Sequence, residues 1–274
     1  MPPRDPLPLN SVSSEISEQY QREGFLIHDF GFDPDLIEAC AEVTRGYVGQ
    51  AVRVQDLWRR EKCVRKLGAH PDVQAFLTGL YTRRAFPFQT LNFTKGTEQG
   101  VHSDTIFFNS EPAHFMCGVW VALEDMDLDN GPLVYYAKSH KRPISTLHDI
   151  ASSPQKELYP FFEAQALNYE RTPGLIKKGQ AVIWSANVLH GGSPILDHRR
   201  TRLSQVTHYY FDKCVYSTPV LEDMERGDAL IRSPYDFARR KFVFSKRGKK
   251  TIWPKPRHLV SDVANVALRR TFKF

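Results

Sequence analysis

Beyond Arg84 the chain changes period. Phe88–Phe93, Ile106–Phe108, Met116–Leu123, Leu133–Tyr136, Gln180–Trp184 and Leu203–Phe211 are short runs rich in aromatic and β-branched residues, divided by Gly, Pro, Asn and Asp. Such runs read as strands. Parallel pairing would need a crossover, usually a helix, between successive strands, and no amphipathic stretch of helix length separates these. The expected arrangement is therefore antiparallel, with two sheets packed around one core.

The N-terminal residues read differently. Ser13 to Arg22 is a predicted helix, stopped by Gly24 before the strand-like Phe25-Leu26-Ile27. Asp33-Pro34 opens a second helix through about Tyr47, because Asp caps free amides, Pro is tolerated in the first turn, and Leu36, Ile37, Cys40 and Val43 recur on one face. Pro71 to Leu80 is a third, with Val73, Phe76, Leu77 and Leu80 apolar along one side. The expected fold class is mainly β with a helical N-terminal part, a double-stranded β-helix (jelly roll, cupin-like) core flanked by helices. As a single domain over 1–274, it divides into a mainly helical flank at 13–83, a jelly-roll core at 84–215 and a basic C-terminal extension at 216–274. A polar, aromatic-bearing insertion near 151–169 interrupts the strands and is a candidate lid or substrate loop.

With 41% hydrophobic and 25% charged residues, disorder of the whole chain is excluded. No run is apolar for long enough to act as a signal peptide or span a bilayer, so a soluble, cytoplasmic protein is expected. Cys40, Cys63, Cys117 and Cys214 have no Cys-x-x-Cys spacing; reduced, mostly buried thiols are expected rather than a zinc knuckle or a disulfide scaffold. The net charge of +6 is uneven: 239–274 hold twelve Lys or Arg against Asp262, a local +11 that leaves the rest of the chain at −5. Such a segment can attract nucleic acid, an anionic lipid surface or an anionic substrate, though charge runs are more often solvated surface; the expected partner is a small molecule, anionic if the segment takes part, and not nucleic acid.

The chemistry centres on Gly-Val-His102-Ser-Asp104-Thr and, far downstream, Val-Leu-His190-Gly-Gly. Residues two apart on an extended chain share a face, so His102 and Asp104 can reach one ion, and His190 supplies a third ligand. Two imidazoles and a carboxylate on one side of an octahedral ion leave positions for a chelating co-substrate and dioxygen, the arrangement of non-haem Fe(II) oxygenases. Gly191 and Gly192 let the backbone beyond His190 pass close to a ligand or a neighbouring strand. In the strand that Arg199-Arg200-Thr201-Arg202 opens, Arg202, Ser204, Val206 and His208 share one face. An Arg on the inner face could pair bidentately with the far carboxylate of a dicarboxylic co-substrate.

In these segments the chain resembles the phytanoyl-CoA dioxygenase family of Fe(II)/2-oxoglutarate-dependent oxygenases. The likeness runs over about residues 20 to 212. It is carried by Leu91-Asn92-Phe93 leading to His102-Ser103-Asp104, by Trp120 with Asp129-Asn130-Gly131-Pro132-Leu133 and Ser139-His140-Lys141, by Gly179 to His190-Gly191, and by Arg202 to Tyr210. The resemblance implies His102, Asp104 and His190 as catalytic iron ligands and Arg202, rather than Arg199 or Arg200, as partner of the distal carboxylate of 2-oxoglutarate. It also places Asn92 and Trp120 in the co-substrate pocket. The implied cofactors are Fe(II) and 2-oxoglutarate, with ascorbate as reductant and dioxygen as oxidant. Relatives show a Pro-Gly turn where this chain has Val134-Tyr135-Tyr136-Ala137-Lys138. Asp104 argues against halogenation, since related halogenases carry a small residue there.

The implied activity is hydroxylation of a small or carrier-linked metabolite, with succinate and carbon dioxide as co-products. Desaturation and ring formation are other outcomes of the same chemistry. A non-redox cupin-like module binding an anionic partner is the rival from another class, and the intact His102, Asp104, His190 and Arg202 count against it. A Zn or Mn isomerase on the same roll is opposed by Arg202 and Asn92, which suit a dicarboxylate. No Gly-x-Ser-x-Gly elbow supports a hydrolase. His140 reads as structural, Trp120 and Trp184 as core aromatics that form a pocket wall, and His208 as an inward-facing contact.

Overall fold

The computed structural model describes residues 12–223 and 228–254. Helix α1 (Ser14–Glu23) starts on the Ser13 hydroxyl, which accepts from the Ile16 amide, and ends at Gly24, whose φ of 85° favours glycine. Strand β1 (Phe25–His28) follows. Helix α2 (Pro34–Arg45) begins where the Asp33 carboxylate accepts from the Asp35 amide and stops two residues short of Tyr47. Two elements that the sequence pattern did not show come next, β2 (Arg53–Gln55) and α3 (Lys62–Gly68). Both are too short to display a period. Helix α4 (Pro71–Tyr81) completes the helical part.

The strands of the roll are β3 (Ala85–Phe93), β4 (Asn109–Glu111), β5 (Met116–Ala122) and β6 (Leu133–Tyr136). After helices α5 (Leu147–Ser152) and α6 (Leu158–Ala166) come β7 (Arg171–Pro173), β8 (Ala181–Ser185), β9 (His190–Gly192) and β10 (Ser204–Phe211). The chain continues as β11 (Val215–Asp223) and β12 (Asp228–Ile231). The large sheet runs β1-β8-β5-β10-β3-β2, every pair antiparallel. Two three-stranded sheets accompany it, β7-β6-β9 and β12-β11-β4. These antiparallel sheets with few helices are a cupin-type jelly roll.

Strand parity gives the large sheet two different faces. Val119 and Val121 of β5, Ala181 and Ile183 of β8, and Leu203 and Tyr209 pack outward against Leu36, Ile37 and Cys40 of α2 and Phe76 and Leu77 of α4. Leu91, Phe93, Trp120, Val182, Trp184 and Val206 point inward and meet Tyr135 from the small sheet. Gly118, also inward, leaves the space that the Trp184 ring fills; a Cβ there would overlap it.

One expectation is corrected. Ile106–Phe108 is not a strand: Asp104–Ile106 forms a 3-10 turn, with the Asp104 carbonyl accepting from the amides of Phe107 (2.9 Å) and Phe108 (2.8 Å). The Ser103 hydroxyl bonds the Ala186 carbonyl (3.0 Å) and the Thr105 hydroxyl (2.7 Å), a local alternative to ladder pairing. The 151–169 insertion is helical in part. It holds α6, whose Phe162 and Ala166 pack on Val101, Ile106, Ile150 and Leu189. Where relatives show a Pro-Gly turn, this chain turns with Lys138 at a φ of 67°.

At the C-terminal side β11 pairs with β4, and two short hairpins follow, Tyr235–Asp236 with Lys241–Phe242 and Ser245–Arg247 with Lys250–Ile252. Of the basic segment, residues 255–274 lie outside the described residues. Among the described residues no helix is long and apolar enough to cross a membrane.

Candidate active site

His102 and His190 are joined by their own backbones. The His102 amide donates to the His190 carbonyl (2.9 Å) and the His190 amide to the His102 carbonyl (3.0 Å), a single antiparallel bridge between distant segments. Gly191 permits this approach, since a Cβ there would lie 2.9 Å from the Gln99 carbonyl oxygen. The turn at Asp104 then swings its carboxylate back: Oδ1 lies 3.9 Å from His102 Nε2 and 3.8 Å from His190 Nε2. One ligand atom from each of the three lies within 4.8 Å of the others, and all three residues are buried.

Both imidazoles are prepared as ligands. The Nδ1–H of His102 donates to the Gly100 carbonyl (2.9 Å), and that of His190 to the Val188 carbonyl (3.1 Å). These bonds fix the tautomer that turns the Nε2 lone pair inward. Burial pushes both His102 and His190 down to about 4, His102 also through the neighbouring His190, so both are neutral at pH 7. The other carboxylate oxygen of Asp104, Oδ2, accepts from the Trp184 indole N–H (2.8 Å). Trp184 is thus more than the pocket wall its sequence position suggested. His208 lies beside the group, with Nδ1–H donating to Gln89 Oε1 (3.0 Å) and Nε2 3.9 Å from Asp104 Oδ2.

Arg202 is 1% exposed, and its Nε and Nη1 have no hydrogen-bond partner. Its guanidinium lies over the rings of Phe93 (5.3 Å) and Trp120 (5.5 Å), and burial pulls it down to about 10. Trp120 Nε1 and the Tyr135 hydroxyl are buried and equally unpartnered. Tyr135 stacks on His190 at 6.1 Å and feels the charges of both Arg202 and Asp104, so it spans the space between guanidinium and imidazoles. A buried cation and two orphaned donors beside three converging ligand atoms fit an anion that reaches from the ion to Arg202. Arg199 and Arg200 are committed elsewhere, to Asp197 and Asp127 on the surface.

Asn92 is a correction. In β3, Leu91 and Phe93 take the inner face, so Asn92 takes the outer one, where its amide donates to Thr44 Oγ1 of α2 (3.1 Å). It does not line the co-substrate pocket. Tyr135 was missed because a four-residue strand gives little parity to read; its only signal was sharing a face with Leu133. A cavity of about 1170 Å³ opens over the site, lined by His102, Asp104, His190, His208 and an aromatic wall.

Over residues 47–201 the chain matches the phytanoyl-CoA dioxygenase (PhyH) family. It is 24% identical over 185 residues to phytanoyl-CoA dioxygenase domain-containing protein 1 of Mus musculus, covering 64% of this chain and 56% of that protein. It is 23% identical over 245 residues to the peroxisomal phytanoyl-CoA dioxygenase of Rattus norvegicus, covering 76% and 71%. The chain thus spans little more than half the length of the mouse relative. Its fold is similar to that of the epimerase SnoN in complex with Fe3+, alpha ketoglutarate and nogalamycin RO, with a TM-score of 0.61, 18% identity, and coverage of 74% of this chain and 84% of that one. The family match takes in more than half of the chain and includes all four of His102, Asp104, His190 and Trp120, and the protein belongs to the phytanoyl-CoA dioxygenase family.

Proposed function

We propose that the protein is an Fe(II)- and 2-oxoglutarate-dependent dioxygenase that hydroxylates a small or carrier-linked metabolite. One observation carries the reading: three buried ligand atoms converge next to a buried guanidinium left without a partner. His102, Asp104 and His190 would hold the iron, which when bound supplies the activation of dioxygen. Arg202 would grip the distal carboxylate of 2-oxoglutarate through its free N–H groups, and the Tyr135 hydroxyl and Trp120 indole would donate to the same ligand. Phe93, Leu91, Val206 and Trp184 keep water from this end of the cavity. Trp184 and the two backbone carbonyls hold the ligands in orientation, so little rearrangement is needed on binding. The balance is 2-oxoglutarate, dioxygen and R–H in, succinate, carbon dioxide and R–OH out. Four free thiols favour a reducing compartment, and a cytoplasmic enzyme is the reading they support.

The test is succinate formation by the purified protein with Fe(II), ascorbate and 2-oxoglutarate. A slow turnover without substrate is expected, abolished in His102→Ala, Asp104→Ala and Arg202→Ala. Undiminished succinate from Asp104→Ala would sink the ligand assignment.

A further inference from the structure

Arg53 faces the cavity over the metal ligands and is not accounted for by the co-substrate. In the β2–β3 pairing Arg53 is opposite Phe93 and Gln55 opposite Leu91. Cross-strand partners share a face, so Arg53 points inward with Phe93, and it lines the cavity. Arg202 approaches the same ring from the other side, where β10 pairs with β3. Arg202, fully buried, thus lies beside Phe93 on the β10 side of β3, and Arg53, half-buried, stands on the edge strand β2 at its other side. The neighbouring carboxylate is already engaged: Asp56 accepts from the Trp58 indole (3.0 Å) and the Thr90 amide (3.2 Å). Among the described residues no hydrogen bond or ion pair holds Arg53.

We infer that Arg53 anchors a carboxylate of the substrate, and that the substrate is an apolar-bodied carboxylic acid laid against the aromatic wall of the cavity. The inference rests on the oxygenase reading above. One half-buried guanidinium offers a planar two-N–H fork, which matches a carboxylate. The wall beyond it is formed by Trp58, Phe88, Phe107, Phe108, Val206 and Tyr235, which suits hydrocarbon or ring rather than sugar. The volume of about 1170 Å³ exceeds the roughly 300–1,000 Å³ of ordinary small-molecule sites, leaving room for a substrate body beside the co-substrate. Arg53 also stands on the side of the metal ligands. Burial raises the Tyr159 phenol while its bond from Gln99 and the nearby charge of Arg53 draw it back, and the Tyr159 ring lies 6.2 Å from that of His102. A carboxylate on Arg53 thus fixes one end of a molecule whose body passes the iron site. Arg59 and Arg60 at the rim add attraction for an incoming anion.

The test is calorimetric titration of the anaerobic Fe(II)- and 2-oxoglutarate-loaded protein with decanoate and with its neutral counterpart decanamide. Wild type is expected to bind decanoate about ten-fold or more tightly than decanamide, an advantage that shrinks with added salt. Arg53→Gln is expected to erase the difference while decanamide and 2-oxoglutarate affinities stay within about two-fold; Arg53→Lys is expected to keep part of it. A wild type that does not prefer decanoate, or an Arg53→Gln protein that still does, overturns the inference. So does a variant in which 2-oxoglutarate binding falls instead, for then Arg53 belongs to the co-substrate and the oxygenase reading stands. If Arg202→Gln leaves 2-oxoglutarate binding unchanged, the underlying reading fails by a separate measurement.

Discussion

Arg202→Met should make the ligand-free protein more stable and its co-substrate binding far weaker. Burial holds the Arg202 guanidinium down at about 10; at about 1.4 kcal/mol per pH unit, keeping the charge there costs about 3 kcal/mol relative to water. The rings of Phe93 and Trp120, at 5.3 and 5.5 Å, return about 1–2 kcal/mol. The charge of Glu124 acts on it from a distance, but no carboxylate bonds Nε or Nη1. Methionine has a similar reach, no charge, and adapts to irregular space. The expected gain is about 1–2 kcal/mol, or roughly 2–8 °C in Tm for a chain of this size. With metal and 2-oxoglutarate present the sign reverses. Removing one partner of a buried charge pair costs about 2–5 kcal/mol, an affinity loss of about 30-fold or more. Thermal unfolding of the metal-loaded protein with and without 2-oxoglutarate checks both halves. Wild type should gain about 2.7 kcal/mol at a ligand concentration a hundred times Kd, and the variant no more than about 0.9 kcal/mol at that same concentration. A variant less stable than wild type that keeps its ligand-induced shift would refute the reasoning.

Trp184→Phe removes the indole N–H that meets Asp104 Oδ2; metal affinity should fall about 10- to 100-fold, measured by competition with a chelator, and unchanged affinity would show that the bond does not orient the carboxylate. Asn92→Ala should cost about 1–3 kcal/mol of stability through the lost bond to Thr44, with 2-oxoglutarate affinity unaltered; a weakened co-substrate would return Asn92 to the pocket. Acid should destabilise the metal-free protein in a defined window. His102 and His190 sit at about 4 when folded and near 6.5 when unfolded, so the unfolded chain takes up protons first. Their contribution is complete above about pH 6.5, falls by at most about 3 kcal/mol per imidazole down to about pH 4, and is then flat. Denaturant melts across that range check it, and His190→Gln should flatten the slope.

What the sequence made legible followed from period and parity. The alternation along β10 put Arg202, Ser204, Val206 and His208 on one face, and the structure turns that face inward. Asp33 and Gly24 marked helix ends because each supplies or permits a specific cap. The errors arose where a local bond outcompeted pattern. Ile106–Phe108 has strand composition, yet the Ser103 and Thr105 hydroxyls and the Asp104 carbonyl close a turn there. Asn92 was misplaced by following a resemblance over the parity of its own strand, which Leu91 and Phe93 already assigned. Neither the bond that Trp184 makes nor the inward placing of Arg53 could be read, since each depends on a partner distant in sequence, Asp104 for the one and Phe93 across β2–β3 for the other.

The two faces of β10 show where the fold spends its stability. On the outer face Gln205 donates to the Val64 carbonyl (3.1 Å) and Tyr209 to the Gly68 carbonyl (2.8 Å); polar groups there tie the sheet to the helices. What that side leaves open are neutral oxygens, Thr90 Oγ1 and Asn92 Oδ1. The inner side leaves open a charged guanidinium, an indole N–H and a phenol, although a strand able to satisfy buried amides on one face faces no geometric bar to doing so on the other. An unpaired buried charge is the costlier deficit by several fold. It stands next to neutral imidazoles whose Nε2 atoms turn toward Asp104. A dianion chelated to a cation suits both groups, the anion on the guanidinium and the cation on the imidazoles. On the proposed reading the inner face is a site that gains stability when loaded.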